Sequence, residues 1–148
     1  MRTLVITALT CVLALTASSA DKPFVGTWEL NLAKSKRDPN MTRIQKQTIV
    51  YSTEGAGLKA LVTIDGKPSG GAIYDGKEHD TTNPVGEYTK SKATAHSNIL
   101  ETVFTKDGKV VRTRKNTLSP DGRTMTVVTE GTAANGAKIH NVYVFEKQ

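Results

Sequence analysis

The clearest pattern of apolar and polar positions lies in the segment 24–32. One parity carries the large apolar residues and the other is mixed: Phe24, Trp28, Leu30 and Leu32 against Val25, Thr27, Glu29 and Asn31. A period of two is typical of a strand with one buried face. Gly26 lies on the buried side, where a missing side chain lets another backbone approach. We predict that Phe24, Gly26 and Trp28 plug the closed end of a β-barrel.

Turn signals divide the rest of the chain at fairly even intervals. Each pairs Asp or Asn with Gly, residues that tolerate positive φ: Asp65-Gly66, Asp75-Gly76, Asp107-Gly108, Asp121-Gly122 and Asn135-Gly136. The segments between them are short and rich in Thr and Val, as in an antiparallel meander. We predict strands at 24–32, 44–54, 57–65, 69–75, 86–95, 98–106, 109–118, 123–131 and 137–147.

The predicted strands favour an all-β fold, an antiparallel up-and-down meander of eight to nine strands closed into a barrel. Segments 58–65 and 123–131 alternate clearly, whereas 86–95 has the weakest pattern. The segment 137–147 is apolar on both faces, which suits a strand that closes the sheet beside the first. A sandwich is the competing architecture, but it needs long crossover connections that the sequence lacks. The polar linker 33–43 is too short for a helical pair.

The first 20 residues have the features of a secretory signal peptide. Arg2 precedes an uncharged apolar run over residues 4–16, and Ser18-Ser19-Ala20 supplies small residues for cleavage. The run is too short to span a bilayer stably. We therefore expect one barrel domain over residues 21–148, exported to the periplasm or secreted after cleavage near Ala20. The single cysteine lies in the leader, so the domain is expected to fold without disulfides.

The charge balance is basic, with a net charge of +6 that falls to +5 when Arg2 leaves with the leader. A basic protein can bind nucleic acid or anionic membranes. Here the lysines are scattered through turns, where they also protect strand edges. The one dense run, residues 34–37, has no RNA-binding aromatic pattern beside it. The sequence therefore argues against a nucleic-acid partner.

Both ends of the predicted domain resemble a known group of barrels. The string Phe24-Val25-Gly26-Thr27-Trp28-Glu29-Leu30 resembles the opening strand of fatty-acid-binding proteins, and its Gly-x-Trp core is similar to the first lipocalin motif. The ending Val144-Phe145-Glu146-Lys147 and the segment 121–125 also resemble the fatty-acid-binding group. Residues 26–31 with Ala33-Lys34-Ser35 are similar to small exported bacterial lipocalin-like proteins. The resemblance implies the calycin superfamily, closed barrels that bind small apolar molecules.

The sequence also departs from that group. Fatty-acid-binding proteins hold a carboxylate with Arg-x-Tyr on the last strand, and Tyr143 and Phe145 occupy the matching positions here. The helical lid between the first two strands has no counterpart, and the later lipocalin motifs are missing. The resemblance therefore implies the fold more strongly than it implies fatty-acid binding.

The candidate ligand-binding residues lie mainly on the strand 109–118. If the family's interior parity holds, Arg112, Arg114 and Asn116 point inward, with Val110 and Leu118 beside them, and suit an anionic head group. The alternative places this face outside, with Val111, Thr113 and Thr117 inside. Tyr143 is a candidate hydroxyl donor to the same pocket, with core packing beside Trp28 as the favoured alternative. The candidate pocket walls, each equally plausible as core packing, are Tyr51, Tyr74, Tyr88 and Phe104.

Candidate groups for catalysis or metal binding are few. His79, His96 and His140 are far apart in sequence, and Glu78-His79-Asp80 lies in a turn-rich region where charged residues are ordinary. No nucleophile elbow or glycine-rich phosphate loop occurs, so we expect no catalytic residue, no metal and no cofactor. The main hypothesis is a non-enzymatic barrel that binds a small hydrophobic or amphipathic molecule. The alternatives are a filled barrel that acts through its surface on a protein partner or the envelope, and an enzyme without a recognisable motif.

Overall fold

The computed structural model describes residues 22–81 and 87–148, which form ten antiparallel strands. They are β1 Gly26–Leu30, β2 Gln47–Glu54, β3 Gly57–Ile64, β4 Lys67–Tyr74, β5 Glu78–Asp80, β6 Lys90–His96, β7 Ile99–Lys106, β8 Lys109–Leu118, β9 Thr124–Thr132 and β10 Lys138–Lys147. The predicted leader lies outside the described residues. Within them, no helix is long and apolar enough to cross a bilayer.

The ten strands form one sheet that curls into a nearly closed barrel. Their order is β4-β3-β2-β1-β10-β9-β8-β7-β6-β5. Strands that follow one another in sequence are therefore paired in the sheet, except β4 and β5, which lie at its two edges and leave a gap in the barrel. β1 pairs with both β2 and β10, with Leu30 opposite Phe145. The prediction that the last strand closes the sheet beside the first is therefore confirmed. Across the gap, the Gly76 N–H donates to the Ala93 carbonyl over 2.9 Å.

The strand count is ten rather than eight to nine, because β5 was not predicted. It has only three residues, all of them charged or titratable, so no apolar alternation marks it.

The first strand is also shorter than the predicted 24–32. It ends at Leu30, and Leu32 begins a single turn of 3-10 helix, Leu32–Lys34, where it is 46% exposed.

The core of the barrel contains Trp28, which is completely buried. Its indole Nε1 donates to the carbonyl of buried Phe24 over 2.8 Å. Burying an indole is favourable when its N–H has such a partner. Phe145 and Met125 belong to the same buried apolar core, so the predicted position of Trp28 inside the barrel is confirmed.

Gly26 makes room for a side chain and not, as predicted, for another backbone. A Cβ on Gly26 would lie 3.0 Å from Cε of Lys147. Lys147 crosses this space to place its ammonium 5.4 Å from the Trp28 ring centroid, and it donates to the Pro23 carbonyl over 3.1 Å. A lysine thus covers the indole at the end of the barrel, in cation–π geometry.

A β-bulge resets the side-chain alternation in β8. In the register of β7 and β8, Phe104 pairs with Arg112 but Thr105 pairs with Val110, so one residue of β8 is skipped. A bulge of this kind changes which face a side chain occupies. The prediction that Val110 points inward is therefore wrong: Val110 is 62% exposed, whereas Arg112 beyond the bulge is buried.

Candidate ligand-binding site

The barrel contains a cavity of about 330 Å³. Its apolar wall comes from inward-facing residues of β2, β3, β9 and β10: Ile49, Val62, Ile64, Val127, Tyr143 and Phe145. Its polar side comes from Arg112 and Arg114 on β8 and from Glu87 and Tyr88 before β6. An apolar cavity with a few convergent polar groups is the usual form of a small-molecule site.

Two arginines on β8 face this cavity. Arg112 and Arg114 are two residues apart in one strand, which places both on the same face of the sheet. The inward alternative left open by the sequence is thus the correct one. Arg112 is only 6% exposed, and its Nη2 donates to Glu87 Oε2 over 2.8 Å. The side chain of Glu87 is 22% exposed, so this ion pair is largely shielded from water.

Arg114 differs from Arg112 in having no carboxylate beside it. Among the described residues, no ion pair is found for Arg114, and its buried Nε has no hydrogen-bond partner. Its guanidinium carbon lies 5.1 Å from the ring centroid of Phe104. Because a partly buried cation is costly unless it is paired or hydrogen-bonded, Arg114 is the group best placed to attract an anion.

A pair of aromatic rings packs against the two arginines. Tyr88 and Phe104 pack with ring centroids 4.4 Å apart. The Arg112 guanidinium lies 5.6 Å from the Tyr88 ring and the Arg114 guanidinium lies over Phe104, so each cation has its own aromatic face. Cation–π contacts hold a guanidinium in place without neutralising its charge. Tyr88 lines the cavity, whereas Phe104 contacts Arg114 without lining it.

Asn116 faces inward but belongs to the packed core and does not line the cavity. Its Nδ2 donates to the Tyr51 hydroxyl over 2.8 Å. Burial raises the pKa of Tyr51 well above its usual value, and the neighbouring Tyr74 adds to this. Both tyrosines were candidate pocket walls. They pack against each other with ring centroids 6.1 Å apart, as core residues.

Tyr143 lies on the cavity wall. It is buried at 7% exposure, and burial raises the pKa of its hydroxyl. Asn141 precedes it on the same face of β10 and also lines the cavity. The last strand therefore offers an amide and a hydroxyl to a ligand, where the sequence lacks the arginine of the fatty-acid-binding group.

The linker between β1 and β2 covers the mouth of the cavity, which the sequence did not reveal. Asn40, Met41, Thr42 and Ile44 line the cavity from this side. We call residues 37–46 the strap. At its far end, the Asp65 carboxylate accepts from the backbone N–H groups of Gln45 and Lys46 over 2.9 and 2.7 Å.

At its near end the strap is held by Asp38. The Asp38 carboxylate accepts from the backbone N–H of His140 over 2.8 Å and from that of Asn40, also over 2.8 Å. The Asp38 N–H in turn donates to the Asn141 side-chain oxygen over 3.0 Å. The hydrogen bonds that the carboxylate accepts lower the pKa of Asp38, and the bond from His140 has the largest effect. Asp38-Pro39-Asn40 is a turn signal in the sequence, but its partner 102 residues away could not be found from it.

The polar side chains of β5 make contacts with neighbouring charged groups. His79 Nε2 lies 3.0 Å from Asp75 Oδ1, and Lys90 Nζ lies 2.8 Å from Glu78 Oε1. Across residues 22–81 and 87–148, no group of three or more His, Cys, Asp or Glu side chains converges as a metal site would require.

Solved structures of several proteins share this fold. Fatty-acid-binding protein 1 of Echinococcus granulosus superposes with a TM-score of 0.65 at 14% identity, covering 85% of this chain and 98% of that one. The fold is that of the fatty-acid-binding proteins. They belong to the calycin superfamily of lipocalin-like barrels, so the resemblance read from the two ends of the domain is confirmed at the level of the fold.

Two further structures with the fatty-acid-binding fold contain ligands. The Schistosoma mansoni fatty-acid-binding protein in complex with arachidonic acid has a TM-score of 0.65 at 14% identity, with 87% of this chain and 98% of that chain covered. Zebrafish ileal bile-acid-binding protein complexed with cholic acid has a TM-score of 0.57 at 14% identity, with 85% and 99% covered. The sequence matches no protein-family model, and no curated protein is significantly similar to it.

Proposed function

We propose that this protein binds a small hydrophobic or amphipathic molecule inside its barrel, without catalysis, and that the ligand carries an anionic head group. The observation that carries the proposal is the cavity of about 330 Å³, apolar on one side and bordered by Arg114 on the other. The neighbours that share the fold are named as binding proteins or transporters.

The apolar wall would supply most of the binding free energy. Each Å² of apolar surface removed from water contributes about 25 cal/mol, and each buried methylene about 0.8 kcal/mol. An apolar tail that lies along Val62, Ile64 and Val127 would gain this free energy for each methylene that it buries. The cost of immobilising the ligand is subtracted from this sum.

The head group would be held by Arg114. An anion at this position would accept from a guanidinium whose Nε lacks a partner among the described residues and which Phe104 already orients. Charge-assisted hydrogen bonds of this type are stronger than neutral ones. Asn141 and Tyr143 line the same cavity and would supply additional polar contacts.

A chain-length series tests the proposal. Straight-chain alkyl carboxylates of increasing length should bind about fourfold more tightly for each added methylene, as measured by calorimetry, until the cavity is filled and the gain stops. Arg114→Gln should weaken every member of the series. Lys115→Gln removes the same charge from the neighbouring exposed position of the strand and should have little effect.

The opposite result would favour the filled-barrel alternative. If no carboxylate binds, if a fluorescent lipid probe stays silent, and if native mass spectrometry of the protein from its own host finds no bound molecule, the barrel is not a carrier. Equal losses in Arg114→Gln and Lys115→Gln would show that the head group responds to overall charge and not to this site.

We also propose that the protein acts outside the cytoplasm, supported by the leader-like composition of residues 1–20. The measurement is the N-terminal sequence and mass of the protein recovered from periplasmic and culture fractions. A protein that retains residues 1–20 and stays in the cytoplasmic fraction would contradict export.

A further inference from the structure

We infer that Glu87 sets the charge that the cavity accepts, and that it restricts the head group to a single negative charge. The inference rests on the proposed function of the cavity and goes beyond it by naming a specificity-determining residue. Three charged side chains line the cavity among the described residues: Glu87, Arg112 and Arg114. Their formal charges sum to one positive charge.

Glu87 belongs to the cavity and not to the solvent-exposed surface. Its Oε2 accepts from Arg112 Nη2 over 2.8 Å, and the two side chains are 22% and 7% exposed. An ion pair so shielded from water is screened little by salt and keeps its geometry. Glu87 therefore neutralises Arg112 inside the cavity.

The pairing leaves Arg114 as the single uncompensated charge. A monoanion beside Arg114 would bring the cavity to zero net charge. A dianion, such as an alkyl phosphate above its second pKa of about 6, would leave one negative charge in excess in a site of low dielectric. It would also lie near the Glu87 carboxylate. Both effects disfavour the dianion.

Glu87 also accepts a hydrogen bond from Arg112 that a ligand could otherwise receive. The two guanidiniums lie on successive inward positions of β8, so together they could grip a phosphate with several N–H donors. Because Arg112 Nη2 already donates to Glu87, the charge of Arg112 is compensated and Arg114 is the charge left for the ligand, although the buried Nε atoms of both arginines have no hydrogen-bond partner among the described residues. Removing the Glu87 charge should therefore open a second cationic site and raise the cavity charge by one.

The experiment compares three probes of one alkyl chain length at about pH 8: the carboxylate, the phosphate and the neutral alcohol. The wild-type protein should prefer the carboxylate to the phosphate. Glu87→Gln should strengthen phosphate binding tenfold or more, strengthen carboxylate binding less, and change alcohol binding less than twofold. Calorimetry measures all three affinities, and thermal melting checks that each variant is folded.

The double variant Glu87→Gln with Arg112→Gln is the matched control. It removes both members of the ion pair and returns the cavity to one positive charge, so the preference for the monoanion should come back. Arg112→Gln alone leaves Glu87 facing Arg114 and should weaken both anions. If Glu87→Gln does not fold, the double variant and Arg112→Gln still test the charge count.

Two results would overturn the inference, and they are distinguishable. If all three probes bind and Glu87→Gln leaves the ratio of phosphate to carboxylate affinity unchanged, the cavity is a carrier but Glu87 does not set its specificity. If none of the probes binds to the wild type or to any variant, the proposed function fails together with the inference.

Discussion

The carboxylate of Asp38 accepts a hydrogen bond from the backbone N–H of His140 over 2.8 Å, which ties the strap over the cavity to the last strand. Lys36 reinforces this contact just before the strap by exchanging two backbone hydrogen bonds with Val142. The strap is therefore an extension of the β1–β10 pairing that turns across the barrel mouth. Its attachment, not its own secondary structure, keeps it there.

Asp38→Ala should release the strap without unfolding the barrel. The N–H groups of His140 and Asn40 lose their acceptor, so hydrogen exchange over residues 38–44 and at His140 should speed up tenfold or more. Exchange in β7 to β9 should not change. Asp121→Ala is the control, because Asp121 accepts similarly from Ser119 and Arg123 in a turn remote from the strap. Equal acceleration at the strap in both variants would refute the local role of Asp38.

Acid should weaken the strap through the same residue. The pKa of Asp38 is held below its ordinary value of 3.8 by its backbone hydrogen bonds, so its ionised form favours the folded state. That contribution is complete above pH 3.8 and is lost as the pH falls through the lower folded-state pKa. The melting-temperature difference between wild type and Asp38→Asn should therefore be largest near neutral pH and vanish in strong acid. A difference that grows on acidification would contradict the assignment.

Trp28→Phe should destabilise the barrel by about 1–3 kcal/mol, because the buried Phe24 carbonyl loses its donor and the smaller ring leaves a void. Denaturant unfolding followed by circular dichroism measures the loss. Lys147→Met keeps an aliphatic chain over the indole and removes the cation together with its hydrogen bond to the Pro23 carbonyl, so it should cost about 0.5–1 kcal/mol. A larger loss in Lys147→Met than in Trp28→Phe would show that the end of the barrel depends on the charge and not on the indole.

Tyr51→Phe should cost about 1–3 kcal/mol, since Asn116 Nδ2 would be left buried without its acceptor. Adding Asn116→Leu should recover part of this, because the unsatisfied amide is then removed as well. A double-mutant cycle from denaturant unfolding gives the coupling free energy. Additive single-variant losses would mean that the 2.8 Å contact contributes nothing measurable.

Much of the fold could be predicted because strand alternation and turn chemistry are local properties. The parity of 58–64 and 125–129 and the Asp-Gly turns identify the hairpins. Trp28 is buried, as the alternation of its own strand predicts. β5 was missed because a three-residue charged strand has no apolar period to detect. Val110 was misplaced because a bulge shifts parity, and neither flanking strand encodes that shift in its own pattern.

The sequence by itself determined an all-β meander, its buried tryptophan and a pair of arginines two residues apart. Only the tertiary structure decided that the arginines face a cavity and that Glu87 neutralises one of them and not the other. It alone also decided that Asp38 closes the strap onto β10. The physical reason is that alternation depends on adjacent residues, whereas these contacts join groups 25 and 102 positions apart, which come together only when the sheet has curled.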